Sequence, residues 1–137
     1  MKKKNGFTLI ELLAVLIILG LIAVITIPRV SEQIESSKKS TIKASVLSYT
    51  KTIKEYILQN QLNKIEINLS GTYLINSNGY LVQNTTIHEI KFEGEKPKGG
   101  SLVFNDNEIT SGCVTLNKYK VTFQYGEINS VVKGSCE

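Results

Sequence analysis

The chain has 137 residues, 42% of them apolar and 20% charged, with formal net charge +4, two cysteines and one histidine. That length allows one modest domain with an appendage and excludes two full domains. Two cysteines exclude a disulfide-dense miniprotein and a four-cysteine zinc site, and His88 alone excludes chemistry that needs a histidine pair.

Residues 7–27 read FTLIELLAVLIILGLIAVITI, and 17 of these 21 are apolar. At a rise of ~1.5 Å per residue this run makes a helix of roughly 32 Å, long enough to cross a bilayer core. Lys2, Lys3 and Lys4 precede it. Lysines beside an apolar run hold that end on the cytoplasmic side and send the rest of the chain outside. A secretory signal peptide has a shorter apolar core of ~7–15 residues and a small-x-small cleavage site; the run here ends Ala23-Val24-Ile25-Thr26-Ile27-Pro28, with no such site. A plain transmembrane anchor fits the length but leaves Glu11 unexplained, because a carboxylate inside a lipid-exposed helix costs free energy.

A third reading accounts for Glu11. The motif Gly6-Phe7-Thr8-Leu9-Ile10-Glu11 after a lysine-rich leader resembles the processing site of type IV prepilins and their pseudopilin relatives. The resemblance covers residues 2 to about 30 specifically and only general architecture beyond. It implies that a membrane prepilin peptidase cuts between Gly6 and Phe7 and methylates the new Phe7 amine. It also implies a homo-oligomeric filament with minor pilins, driven by an assembly platform protein and an ATPase. Glycine before the cut lets a protease approach the backbone closely. The cut puts an α-amine four residues before Glu11, and two charges that are costly in lipid offset each other when paired. Glu11 is therefore the expected assembly residue, meeting the amine of an incoming subunit.

Gly20 and Pro28 interrupt the apolar run and its exit. Proline lacks a backbone donor and ends or kinks a helix, and the resemblance makes both residues points of stem flexibility. Helical periodicity then resumes. Ile42, Val46, Tyr49, Ile53 and Tyr56 form one amphipathic stripe, which Val30 and Ile34 extend upward. The expectation is one long kinked helix from residue 7 to about 60–62. Its first half is apolar all round, and its second half buries one face. The stretch Ser36-Ser37-Lys38-Lys39-Ser40-Thr41 is a solvated surface that could also touch lipid head groups or a neighbouring subunit.

From about residue 64 the period changes to 2. Ile65, Ile67 and Leu69 alternate, then Gly71 breaks the run. Tyr73-Leu74-Ile75 and Tyr80-Leu81-Val82 flank a turn ending in Asn78-Gly79, a strong hairpin signal. Residues 87–92 predict another strand, and residues 94–100 a loop. A meander follows with strands at 102–105, 108–116, 119–125 and 128–132, turning at Asp106-Asn107, Asn117-Lys118 and Gly126-Glu127. One face of such an antiparallel sheet is wet and the other lies on the stem helix. The fold class is α+β and pilin-like: a long kinked N-terminal helix packed on a small antiparallel sheet head.

Cys113 and Cys136 lie outside the cell by this topology, where disulfides persist. A bond closing that loop stabilises by ~3 kcal/mol on the chain-entropy model, and many pilins close a C-terminal loop this way; two reduced thiols are the alternative. His88-Glu89 reads as a surface pair on a strand. Asp106 and Glu108 around Asn107 resemble part of a calcium loop without its full ligand spacing, and read as turn chemistry. Asn68-Leu69-Ser70 and Asn84-Thr85-Thr86 match the glycosylation pattern but are idle in a prokaryote. No phosphate cradle, zinc-protease motif or nucleophile elbow occurs, so no catalytic, metal or cofactor residue is expected and the chain reads as no enzyme. The 17 isoleucines, 15 lysines and 11 asparagines against 3 alanines and 1 arginine suggest an A+T-rich bacterial genome.

The expected organisation is a cleaved leader at 1–6, a transmembrane and filament-core half-helix at 7–28, an amphipathic half-helix at 29–62 and an extracellular sheet head at 63–137. The expected product is a structural subunit of a type IV pilus-like filament. It crosses the cell membrane once before cleavage, amino terminus in the cytoplasm, and sits on the cell surface after assembly. A pseudopilin of a competence or type II secretion system is the near alternative, and a membrane-anchored extracellular binding domain that never polymerises is the distant one. Nucleic-acid binding is a weak expectation, because the head lysines are interleaved with acids and phosphate binding needs a clustered basic surface. Loss of the leader leaves 13 basic against 12 acidic side chains. The positive charge is mostly a topology signal.

Overall fold

The computed structural model of the chain describes residues 6–137. One helix, α1 (Leu9–Leu62), precedes seven strands: β1 (Gly71–Ile75), β2 (Leu81–Gln83), β3 (Thr86–His88), β4 (Gly99–Asn105), β5 (Glu108–Leu116), β6 (Tyr119–Gln124) and β7 (Glu127–Lys133). The fold is α+β and pilin-like, with a long apolar N-terminal helix and an antiparallel sheet. Two compact units divide the chain, one ending at Lys38 and the other comprising Lys39–Glu137. The helix contributes residues to both.

In the first unit every described residue except Glu35 is exposed. The run predicted to be apolar all round is a helix, and its leucines and isoleucines touch no core. Pro28 lies inside α1, and helical structure continues through it. Proline has no N–H to give the carbonyl four residues back. Two residues earlier, the Thr26 hydroxyl donates to the Ile22 carbonyl at 3.0 Å, so this polar group is satisfied within the helix. Val30 and Ile34, expected to extend the buried stripe, are about half exposed at 51% and 49%.

The second unit is built on the stripe that the sequence predicts. Ile42, Val46, Tyr49, Ile53 and Ile57 are buried. They share one core with Tyr73, Leu81, Leu102, Val114, Leu116, Val121 and Phe123 of the sheet. After Ile53 the burial passes to Ile57, and Tyr56 is left half-buried at the margin. The sheet order is β3-β2-β1-β4-β5-β6-β7, antiparallel throughout. Side chains alternate as the period-2 pattern requires: Tyr119, Val121 and Phe123 are buried, while Lys120 and Thr122 lie on the other face.

The Asn76–Gly79 turn forms as expected. Asn76 Oδ1 accepts from the Asn78 and Tyr80 amides, both at 3.0 Å. Gly79 takes φ +76°, a region that costs glycine least. Gly100 also requires glycine. It runs so close to β5 that a Cβ there would strike the Cys113 carbonyl. The predicted loop at 94–100 therefore ends two residues early, with Gly99 and Gly100 already in β4.

Two predicted strands differ. The alternating Ile65, Ile67 and Leu69 are not a strand, because their backbone is claimed by a side chain. Asn107 Oδ1 accepts from the Leu69 amide at 2.7 Å, and Asn107 Nδ2 donates to the Ile67 carbonyl at 3.2 Å. The Asn107 amide also donates to the Leu69 carbonyl at 3.0 Å. Asp106-Asn107 is thus turn chemistry, as expected, and additionally a clamp. Among the described residues no group of three or more His, Cys, Asp or Glu could hold a metal. The strand expected over 87–92 stops at His88. Ile90 is fully buried, and Phe92 meets the Tyr49 ring edge-on at 5.7 Å. Apolar packing takes these residues away from the ladder.

Candidate functional site

The sequence places the chemistry at the amino terminus. Lys2, Lys3 and Lys4 lie outside the described residues. Gly6 and Phe7 are exposed and non-helical, two residues ahead of α1. Open space surrounds Gly6 where a side chain would project. The Gly6–Phe7 bond therefore sits outside the helix in an exposed stretch. A protease must draw a peptide bond out of secondary structure to cut it, and here that is already done.

Thr8 and Glu11 form a reciprocal cap on α1. The Thr8 amide and hydroxyl donate to Glu11 Oε2 at 2.8 and 2.9 Å. The Glu11 amide donates to Thr8 Oγ1 at 3.4 Å. This is the Thr-x-x-Glu arrangement that satisfies orphan donors at a helix start. It holds the carboxylate at the positive end of the helix dipole. Glu11 stands out in the sequence as an acid in an apolar run, whereas Thr8 does not. A threonine three residues before a glutamate at the head of an apolar run was the available signal.

Gly20 lies within α1 with open space where a side chain would project, and Pro28 lies further along the same helix. Neither is brought near Glu11 in sequence or by any side-chain contact. Helix α1 is long and apolar enough to cross a membrane, and none of its apolar window is buried within the protein.

In the second unit, Cys113 of β5 and Cys136 of the tail are disulfide-bonded, with Cα atoms 5.9 Å apart. The Cys136 amide donates to Thr115 Oγ1 at 2.8 Å, and the Gly134 amide donates to the Lys118 carbonyl at 2.8 Å. The tail therefore turns back from β7 over β6 to β5. His88 corrects an expectation. It is half-buried, not a surface residue, and faces α1. Its Nδ1 lies 3.3 Å from the Tyr56 hydroxyl. Its ring also stands between Tyr56 and Tyr73, at 6.0 and 5.8 Å. Burial lowers its pKa below the usual imidazole value. The Tyr49 hydroxyl is deeper and donates to the Gly79 carbonyl at 2.8 Å; burial raises its pKa.

One comparison with known proteins falls on the same end of the chain. The family model for the prokaryotic N-terminal methylation motif matches residues 1–27. The chain therefore carries the prepilin-type motif that its first residues resemble. It is also 30% identical over 59 residues to type II secretion system core protein G of Pseudomonas aeruginosa. That match covers 43% of this chain and 42% of that protein, so the chain spans about two fifths of the curated relative's length. No solved structure matches the chain.

Proposed function

We propose that the chain is the precursor of a structural subunit of a type IV pilus-like filament, with no catalytic role of its own. A prepilin peptidase cuts between Gly6 and Phe7 and methylates the Phe7 amine. Residues 7–28 then hold the subunit in the membrane and later fill the filament core. Residues 29–62 form the amphipathic half of the stem, and residues 63–137 the extracellular head. Glu11 pairs with the amine of a neighbouring subunit during assembly. Gly20 and Pro28 let the stem bend. An assembly platform protein, an ATPase and minor pilins are the partners, and the assembled product lies on the cell surface.

One observation carries this reading. The methylation motif, residues 1–27, takes in the start of α1, whose apolar window has no buried face. Such a helix needs lipid or other copies of itself around it. The experiment is mass spectrometry of the mature chain from cells that supply a prepilin peptidase. The expected amino terminus is an N-methylated Phe7, and an intact leader favours an anchored domain that never polymerises. Glu11→Ala is expected to leave a processed, inserted subunit with filament yield reduced at least about tenfold, the loss of one charge pair in low dielectric. Normal yield from that variant overturns the role of Glu11.

The Pseudomonas aeruginosa relative favours a second reading, a pseudopilin of a type II secretion system. Electron microscopy of sheared cell surfaces separates the two. Long filaments containing this subunit support the pilus, and secretion defects without filaments support the pseudopilus.

A further inference from the structure

The second unit carries two bare apolar surfaces on opposite sides. Ile87, Val82 and Leu74 are direct cross-strand neighbours on β3, β2 and β1. Their row continues through Ser101, Cys113, Thr122 and Ser130. Direct partners share a face, and this face is the one turned away from α1, since Tyr73, Leu81 and Leu102 point into the core. The disulfide-pinned tail reaches this face at β5, but the β1–β3 end stays bare: Leu74 is 60% exposed and Ile87 56%. On α1, Leu47, Leu58 and Leu62 are exposed on the side opposite the buried stripe, with Lys51 and Lys54 between them.

The charges of the two surfaces are complementary. Strands β1 to β4 contain no Lys, Arg, Asp or Glu, and the turn after β4 and the start of β5 supply exposed Asp106 and Glu108. Helix residues 39–62 carry four lysines and one glutamate. That glutamate, Glu55, is 3.9 Å from Lys51, both being exposed. We propose that the outward stripe Leu47–Lys51–Lys54–Leu58–Leu62 of one copy docks on a second copy, on the face that exposes Leu74 and Ile87 with half-buried Val82 between them, its lysines meeting Asp106 and Glu108. Two unlike patches on opposite sides make a heterologous contact, which repeats without closing. This rests on the filament reading and names the head contact within it.

The test uses the full chain, expressed with a prepilin peptidase and assembly machinery. A photo-crosslinking amino acid replaces Leu58 or, separately, Leu74, and adducts in sheared filaments are mapped by mass spectrometry. Adducts from position 58 are expected in the β1–β3 peptides, and adducts from position 74 in the helix. In parallel, Lys51→Glu with Lys54→Glu is expected to lower filament yield about tenfold, as like charges then meet. Adding Asp106→Lys and Glu108→Lys restores it to within about twofold, because the charges are exchanged rather than lost. Disulfide formation and protease resistance of the head stay unchanged throughout. Filaments that form with adducts elsewhere, or that ignore the charge exchange, overturn the contact and leave the filament reading intact. A cleaved chain that forms no filament overturns both.

Discussion

The two ends of α1 are one type of secondary structure in two states of completion. Along residues 9–27 the apolar side chains surround the helix and none is buried. Along residues 39–62 the apolar side chains of one stripe are buried to 5% exposure or less, at Ile42, Val46, Tyr49, Ile53 and Ile57. The second segment finds its solvent-free partner inside its own chain. The first buries none of its apolar window within the protein. A helix whose apolar residues form a stripe belongs to a domain; one apolar all round belongs to something larger than the chain.

That contrast is broken most strongly by paired truncations. Ile53→Ala removes a fully buried side chain and is expected to destabilise the head by about 2–5 kcal/mol. Ile18→Ala is expected to change head stability by less than about 0.5 kcal/mol. Urea unfolding of the detergent-solubilised chain, followed by tyrosine fluorescence, measures both. Similar losses from the two variants would erase the distinction between the segments.

Asn107→Ala gives the next largest effect. It removes the side-chain bonds to the Leu69 amide and the Ile67 carbonyl. A loss of about 1–3 kcal/mol is expected for partly buried backbone groups left unpaired. Hydrogen exchange at the Leu69 amide should rise sharply while exchange along residues 9–38 stays the same. Retained protection at Leu69 would show that the clamp is not what orders the segment.

The smallest effect is a pH dependence confined to the second unit. Burial lowers the folded-state pKa of His88. The folded form therefore binds its proton less readily than the unfolded chain does. Stability is fully present above the unfolded value of about 6.5 and declines as pH falls below it toward the lower folded pKa. Unfolding midpoints between pH 7.5 and 5 should fall modestly, and His88→Gln should flatten that part of the profile. An unchanged slope in the variant would assign it to carboxylates instead.

Much of the second unit was readable from local pattern. Strand β5 occupies the predicted residues 108–116, and the Asn78-Gly79, Asp106-Asn107 and Asn117-Lys118 turns fall where their residue types place them. These features depend on neighbours in sequence. The alternation of Ile65, Ile67 and Leu69 misled because its backbone partner is a side chain 38 residues from Leu69. His88 misled because the residues that bury it, Tyr56 and Tyr73, come from a helix and another strand. At the amino terminus Glu11 was legible as an acid in an apolar run. Its partner Thr8 is equally local, but a threonine carries no charge to set it apart from its neighbours.

The sequence alone determined the processing motif, the membrane-length helix, the amphipathic stripe and the antiparallel meander, because each is a matter of period, length or short-range turn chemistry. Tertiary structure decided the rest. It chose the strand order, turned His88 inward, made Asn107 a clamp and brought Cys136 back to Cys113. It also left Leu74 and Ile87 exposed on the sheet face turned away from α1. These follow from which distant residues meet, and periodicity along a chain carries no record of that.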